Sequence, residues 1–132
     1  MTTTTCGTPE HLACTTVAVE LHLTEPFLRD VFTTAIEGGI NYWARVTEYR
    51  WTETDPAKVY ALVVDEENDA ADVTYRLTLE IVVNGIKAVL AKPQLRTGLV
   101  GHIMALDAGE IDADDADVIV QLGLFDGTVV YG

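Results

Sequence analysis

The chain predicts an α+β fold: an antiparallel meander of three to four strands, preceded by a strand-helix unit, with C-terminal helices packed on one face. Three observations carry this. Period-two alternation of apolar residues recurs in the first half of the sequence, helical spacing replaces it in the second, and turn residues fall between the segments. At 132 residues and 48% hydrophobic content the chain is long enough for one cored domain. Residues 15–132 are read as that domain, and residues 1–14 as a flexible tail without a signal peptide's basic and apolar regions.

The first element is "TTVAVELHL" (15–23), in which Val17, Val19, Leu21 and Leu23 alternate with Ala18, Glu20 and His22, the pattern of a half-buried strand. Thr24 then reads as an N-cap, with Glu25 and Pro26 in the first turn. Leu28, Val31, Phe32, Ala35 and Ile36 form a helical stripe. The helix is expected to close at Gly38 or Gly39 through a left-handed conformation.

The next strand, "NYWARVTEYRWT" (41–52), alternates Trp43, Arg45, Thr47, Tyr49 and Trp51 against Tyr42, Ala44, Val46, Glu48 and Arg50. Asp55-Pro56 turns the chain into "KVYALVV" (58–64), and after the acidic loop 65–72, "VTYRLTL" (73–79) completes the meander. Thr78 is placed to cap a helix whose stripe is Ile81, Val82, Ile86, Val89 and Leu90 and which Lys92-Pro93 ends. A helix around Leu95, Leu99, Ile103 and Leu106 follows, with Gly98, Gly101 and Gly109 weakening it or allowing close packing. Asp112 or Asp114 caps a last helix through "ADVIVQLGLF", and "TVVYG" suits a final short strand.

Charge excludes some functions. With 21 acidic against 8 basic residues the net charge is −13, which disfavours direct nucleic-acid binding because that affinity rests on Lys and Arg at phosphates. High-GC coding or a salt-loving host would produce the same balance without a functional cause. No serine occurs, so no serine-nucleophile mechanism is available. Cys6 and Cys14 are too few for a disulfide scaffold, and no stretch reaches the roughly 20 apolar residues of a membrane span. The expected location is cytoplasmic.

"DADDAD" (112–117) fails as a calcium loop, because Asp117 stands where glycine is needed and Gly123 where glutamate is needed. Cys6, His11 and Cys14 lack a nearby fourth ligand for zinc. His22, His102, Glu37 and Glu48 read as surface or structural groups, and no nucleophile-base pair is legible. Neither a cofactor nor a metal site is expected.

The informative constellation is basic and aromatic. Arg29, Arg45, Arg50, Lys58 and Arg76 share the first helix and the meander with Trp43, Tyr49, Trp51, Tyr60 and Tyr75. Rings offer a base their π-faces, and guanidinium groups fork onto phosphate oxygens. The site is placed at Trp43, Arg45, Tyr42, Trp51, Arg50 and Asn41, with Gly38 and Gly39 letting backbone approach the ligand. The Trp43–Arg45–Trp51 face is expected to stand open to solvent or to a second subunit, which predicts a homo-oligomer.

"AIEGGINYWA" (35–44) and "DADDADVIVQLGLFDGTVVYG" (112–132) resemble a group of small uncharacterised proteins from phages of actinobacteria. That group carries Glu-Gly-Gly-x-x-Tyr-Trp after its first helix and closes on Ile-Val-Gln and Val-Tyr-Gly. The resemblance covers both ends of the domain better than its middle, and "LFDGTVVYG" adds a residue or two in the last turn. It implies a phage accessory protein in a bacterial cytoplasm and carries no catalytic residues over. Two functions are expected from these readings: an anti-defence protein that sequesters a small anionic nucleotide signal, or an acidic inhibitor of a host protein that imitates nucleic acid through 65–72 and 107–117.

Overall fold

The computed structural model of the protein describes residues 19–66 and 73–132. Helix α1 spans Glu25–Thr34, and the Thr24 side chain accepts from the Phe27 amide at its start. Its inward stripe of Phe27, Val31 and Phe32 continues into a π-helical turn, Ala35–Gly39, where Ala35 and Ile36 are also buried. The turn ends when the Ile40 amide donates to the Ala35 carbonyl at 3.1 Å.

The helical run stops at Gly39, as the sequence predicts, but for another reason. Among the described glycines only Gly127 and Gly132 have positive φ. What requires glycine at 39 is space: a Cβ there would lie 2.5 Å from the Ala113 carbonyl oxygen. Gly38 is free of that constraint, since its Cβ would meet only the Ala113 Cβ at 3.9 Å.

Strands β1 (Ala44–Arg50), β2 (Tyr60–Asp65) and β3 (Thr74–Thr78) form an antiparallel sheet in the order β1-β2-β3. Its inward face carries Ala61, Val63 and Leu77, all buried, with Tyr75 half-buried beside them. Ala44 faces Asp65, Val46 faces Val63, and then the register shifts, so that Glu48 faces Leu62 and Tyr49 faces Ala61. Thr47 is the extra residue. A bulge of one residue reverses the alternation beyond it. Ala44, Val46 and Tyr49 therefore point inward, whereas Arg45, Glu48 and Arg50 point outward beside Tyr60 and Arg76.

No fourth strand forms among the described residues. Residues 19–24 lack sheet pairing, although Leu21 and Leu23 still pack on the core. Residues 15–18, and with them the start of the predicted first strand, lie outside the described residues, as does the proposed tail 1–14. Residues 128–132 form no strand either. The amides of Val130 and Tyr131 are taken by the Gln121 side chain instead.

Thr78 ends β3 and caps α2 (Leu79–Ala91), accepting from the Ile81 amide at 3.3 Å. Helix α3 is shorter than its apolar spacing suggests, Thr97–Met104, with 3₁₀ turns on both sides. Helix α4 (Ala113–Leu124) begins at Asp112, whose carboxylate accepts from the Asp115 amide at 2.8 Å. Helices α2 and α4 touch backbone to backbone. A Cβ on Gly85 would lie 1.8 Å from the Ile119 carbonyl oxygen, and one on Gly123 would lie 2.0 Å from that of Ile81. This pair holds the middle of the core, with Val82, Ile86, Val89, Ile119, Val120 and Leu122 all buried along it.

Candidate functional site: a cationic, aromatic cleft

The eight residues expected to form a site do not meet at one place. The first group is drawn inward. Trp43 precedes β1 in a turn held by the amides of Trp43 and Ala44 on the Ile40 carbonyl, so its direction is not set by strand alternation. Its indole is fully buried, stacks on Tyr131 at 4.9 Å between centroids, and donates from Nε1 to Asp117 Oδ1 at 2.9 Å.

Tyr42 donates its hydroxyl to the other oxygen of Asp117 at 2.6 Å. Half of Tyr42 faces solvent, yet its hydroxyl end sits against buried Asp117. Burial, then the hydrogen bond to Asp117, pushes its phenol up to about 12. Gln121, one helical turn beyond Asp117, donates to Asp117 Oδ1 and to the Tyr131 carbonyl. Gln121 Oε1 accepts the Val130 and Tyr131 amides at 2.9 and 2.8 Å. The Tyr131 hydroxyl in turn donates to Asp65. This network satisfies a buried carboxylate and a buried amide and fastens residues 130–131 to the core.

Gly39 serves the same network by letting the chain lie against the start of α4, where Asp117 can be reached. Gly38, by contrast, is exposed and meets nothing but Ala113. Asn41 makes one long hydrogen bond, to the Glu37 carbonyl at 3.4 Å. Arg45 is paired with Glu66 at 3.2 Å, and with Asn41 it borders a separate hollow lined also by Ile36, Ala44 and Val46. The expected Trp43–Arg45–Trp51 open face is thus corrected: Trp43 is core, Arg45 points outward, and the bulge at Thr47 parts Trp51 from Arg45.

The second group does assemble. Arg50, Trp51, Thr52, Ala57, Lys58, Tyr60 and Arg76 line a cleft of about 390 Å³ at the end of the sheet. Three elements build it. Arg50 and Trp51 leave β1, Asp55 accepts from the Ala57 amide to hold the 3₁₀ turn that presents Lys58, and adjacent strands bring Tyr60 and Arg76 side by side on the outward face. The Arg76 guanidinium lies over the Tyr60 ring at 4.0 Å, and the Tyr60 hydroxyl donates to Glu48. Trp51 is 40% exposed. Among the described residues the ion pairs involve Glu20–His22, Glu25–Arg29, Glu66–Arg45 and Asp115–Arg96; Arg50, Lys58 and Arg76 take part in none.

Sequence reasoning included Lys58, Tyr60 and Arg76 in the basic-aromatic constellation but left them out of the site. The signal available was cross-strand pairing: Tyr60 pairs with both Arg50 and Thr78, so its neighbours on the outward face were fixed once the hairpins were. Asp117 and Gln121 were missed because their partners are remote in sequence.

The acidic segments also divide. Asp65, Asp115 and Asp117 are buried, while Asp107, Glu110, Asp112 and Asp114 are exposed. Among the described residues no group of three His, Cys, Asp or Glu side chains could hold a metal ion, and Cys6, His11 and Cys14 lie outside them. His22 is exposed beside Glu20, and Glu37 is exposed. No helix of the described residues is long and apolar enough to cross a membrane. No family model matches the chain, and no curated protein or solved structure matches it.

Proposed function

We propose that this is a non-catalytic binding protein whose cleft at Arg50, Trp51, Lys58, Tyr60 and Arg76 takes up a small anionic nucleotide. One observation carries the reading: on a chain of net charge −13, three cations without an acidic partner among the described residues surround two aromatic rings. The cleft falls within the roughly 300–1,000 Å³ of ordinary small-molecule sites. Trp51 offers an accessible ring for a base, and Arg50, Lys58 and Arg76 converge on the region a phosphate would occupy. The acids elsewhere repel polyanions, which suits a small nucleotide better than a nucleic-acid strand.

The sequestering, anti-defence role in a phage-infected cytoplasm is part of the same proposal and rests on the sequence resemblance. A homo-oligomer was expected from an open Trp43–Arg45–Trp51 face, and with Trp43 buried that face no longer supplies a reason for it. Calorimetric titration with mono-, di- and cyclic nucleotides tests the reading. The wild-type protein binds at least one of them, and Arg76→Ala and Lys58→Ala each weaken it tenfold or more without lowering the melting temperature. Absence of heat across the panel would replace this reading with that of the acidic inhibitor, whose available surface is the exposed run Asp107, Glu110, Asp112 and Asp114.

A further inference from the structure

Arg29 is buried against Trp51, one wall of the cleft, with its outer nitrogens unused. It is 8% exposed, and its Nε donates to Glu25 at 2.8 Å. Neither Nη1 nor Nη2 has a hydrogen-bond partner. Buried charges ordinarily have every donor satisfied, because each lost water contact must be replaced. Glu25 fills only one side of the fork. The empty side presents two parallel N–H donors, the geometry that a phosphoryl group matches.

What covers this guanidinium is Trp51, whose ring lies 4.8 Å from it. The same indole is a wall of the cleft formed with Arg50, Lys58 and Arg76. Trp51 follows the last paired residue of β1, so no sheet hydrogen bond fixes its backbone. Its other ring contact is edge-on, with Tyr49 at 6.5 Å. The indole therefore lines the cleft with three exposed cations on one side and covers a fourth, buried one on the other, and it lies beyond the paired part of β1.

We propose that Arg29 is a second oxyanion donor of this cleft, screened by Trp51, and that the preferred ligands are nucleotides carrying a diphosphate rather than a single phosphate. The proposal rests on the nucleotide-binding reading given above. Arg50, Lys58 and Arg76 hold the first phosphoryl group. The second displaces the indole edge and takes the Nη1 and Nη2 donors of Arg29, replacing a cation–π contact with a charge-assisted pair.

The test is calorimetric titration of the full-length protein with AMP, ADP, GMP and GDP. In the wild type each diphosphate binds at least tenfold tighter than its monophosphate. Arg29→Gln abolishes that margin and leaves monophosphate affinity within twofold. Arg29→Lys keeps the charge and the Glu25 pair but loses the fork, so it removes most of the margin; it decides the matter where Arg29→Gln does not fold. A merely structural arginine would alter all four affinities together. Equal affinity for mono- and diphosphates in the wild type, or an undiminished margin in Arg29→Lys, overturns the role of Arg29 and leaves the nucleotide cleft standing. Failure of all four nucleotides to bind overturns this inference, and the cleft reading falls with it when the cyclic nucleotides of the wider panel give no heat either.

Discussion

Replacing Gly85 with alanine sets two known effects against each other. Gly85 lies inside α2, where alanine is favoured over glycine by about 1 kcal/mol on helix propensity alone. The added methyl, however, would stand 1.8 Å from the Ile119 carbonyl oxygen and 2.7 Å from its carbon. That obstacle is the backbone of α4 and cannot swing aside as a flexible side chain would. Relief requires the two helices to separate by about 1 Å, and a gap of that size forfeits roughly a quarter to a half of each dispersion contact across it. The contacts at stake include those of Val82, Ile86, Val89, Ile119 and Leu122.

Overpacking of this kind costs about 1–3 kcal/mol, and a rigid obstacle puts the cost at the upper end. After the propensity gain, a net loss of about 2 kcal/mol remains. Urea unfolding followed by circular dichroism should show the midpoint lowered by about 1 M, given slopes of about 1–3 kcal/mol/M. Gly123→Ala should behave alike, since its methyl would stand 2.0 Å from the Ile81 carbonyl oxygen. The double variant should lose less than the sum, because one separation relieves both clashes. Gly101→Ala is the control: nothing lies within 4 Å of its Cβ, so this substitution in α3 should gain up to about 1 kcal/mol. A Gly85→Ala protein as stable as the wild type would refute the backbone contact between α2 and α4.

Asp117→Leu strands the Trp43 indole N–H and the Gln121 amide without their acceptor, so a loss of about 3 kcal/mol or more is expected, together with a weakened near-UV signal from Trp43. Tyr42 makes a pH-dependent contribution: its phenol is raised to about 12 in the folded state, against 10.0 when unfolded, so that stability is fully present below pH 10 and falls as pH climbs from 10 to about 12. Tyr42→Phe should show a shallower decline across that window in chemical unfolding measured at stepped pH. Self-repulsion at net charge −13 should make the melting temperature rise as salt goes from 0.01 to 0.1 M, where the screening length shortens from about 30 to 10 Å; a flat or falling melting curve would show that the acids are already neutralised within the fold.

Local features are legible in the sequence. Thr24 and Thr78 cap the helices they were expected to cap, and Asp112 does so of the two candidates Asp112 and Asp114, because a cap acts within three residues of its own position. The β2–β3 portion of the meander and the buried stripe of α2 follow from unbroken period-two and helical spacing. The basic-aromatic composition of the cleft was also legible, and Arg50 and Trp51 belong to it. Tertiary structure decided the rest. One bulged residue, Thr47, reversed the alternation of β1, and nothing in "RVTEY" announces where a ladder will slip. Trp43 went inward because its N–H meets Asp117, 74 positions away in the chain. Arg29 came to lie under Trp51 where α1 meets the end of β1, with Phe32 set edge-on to Tyr49 beside it. Gly39, Gly85 and Gly123 are needed for the approach of another backbone, not for their own dihedral freedom. A single strand or helix records its own periodicity, but the distance of closest approach between two elements belongs to neither of them.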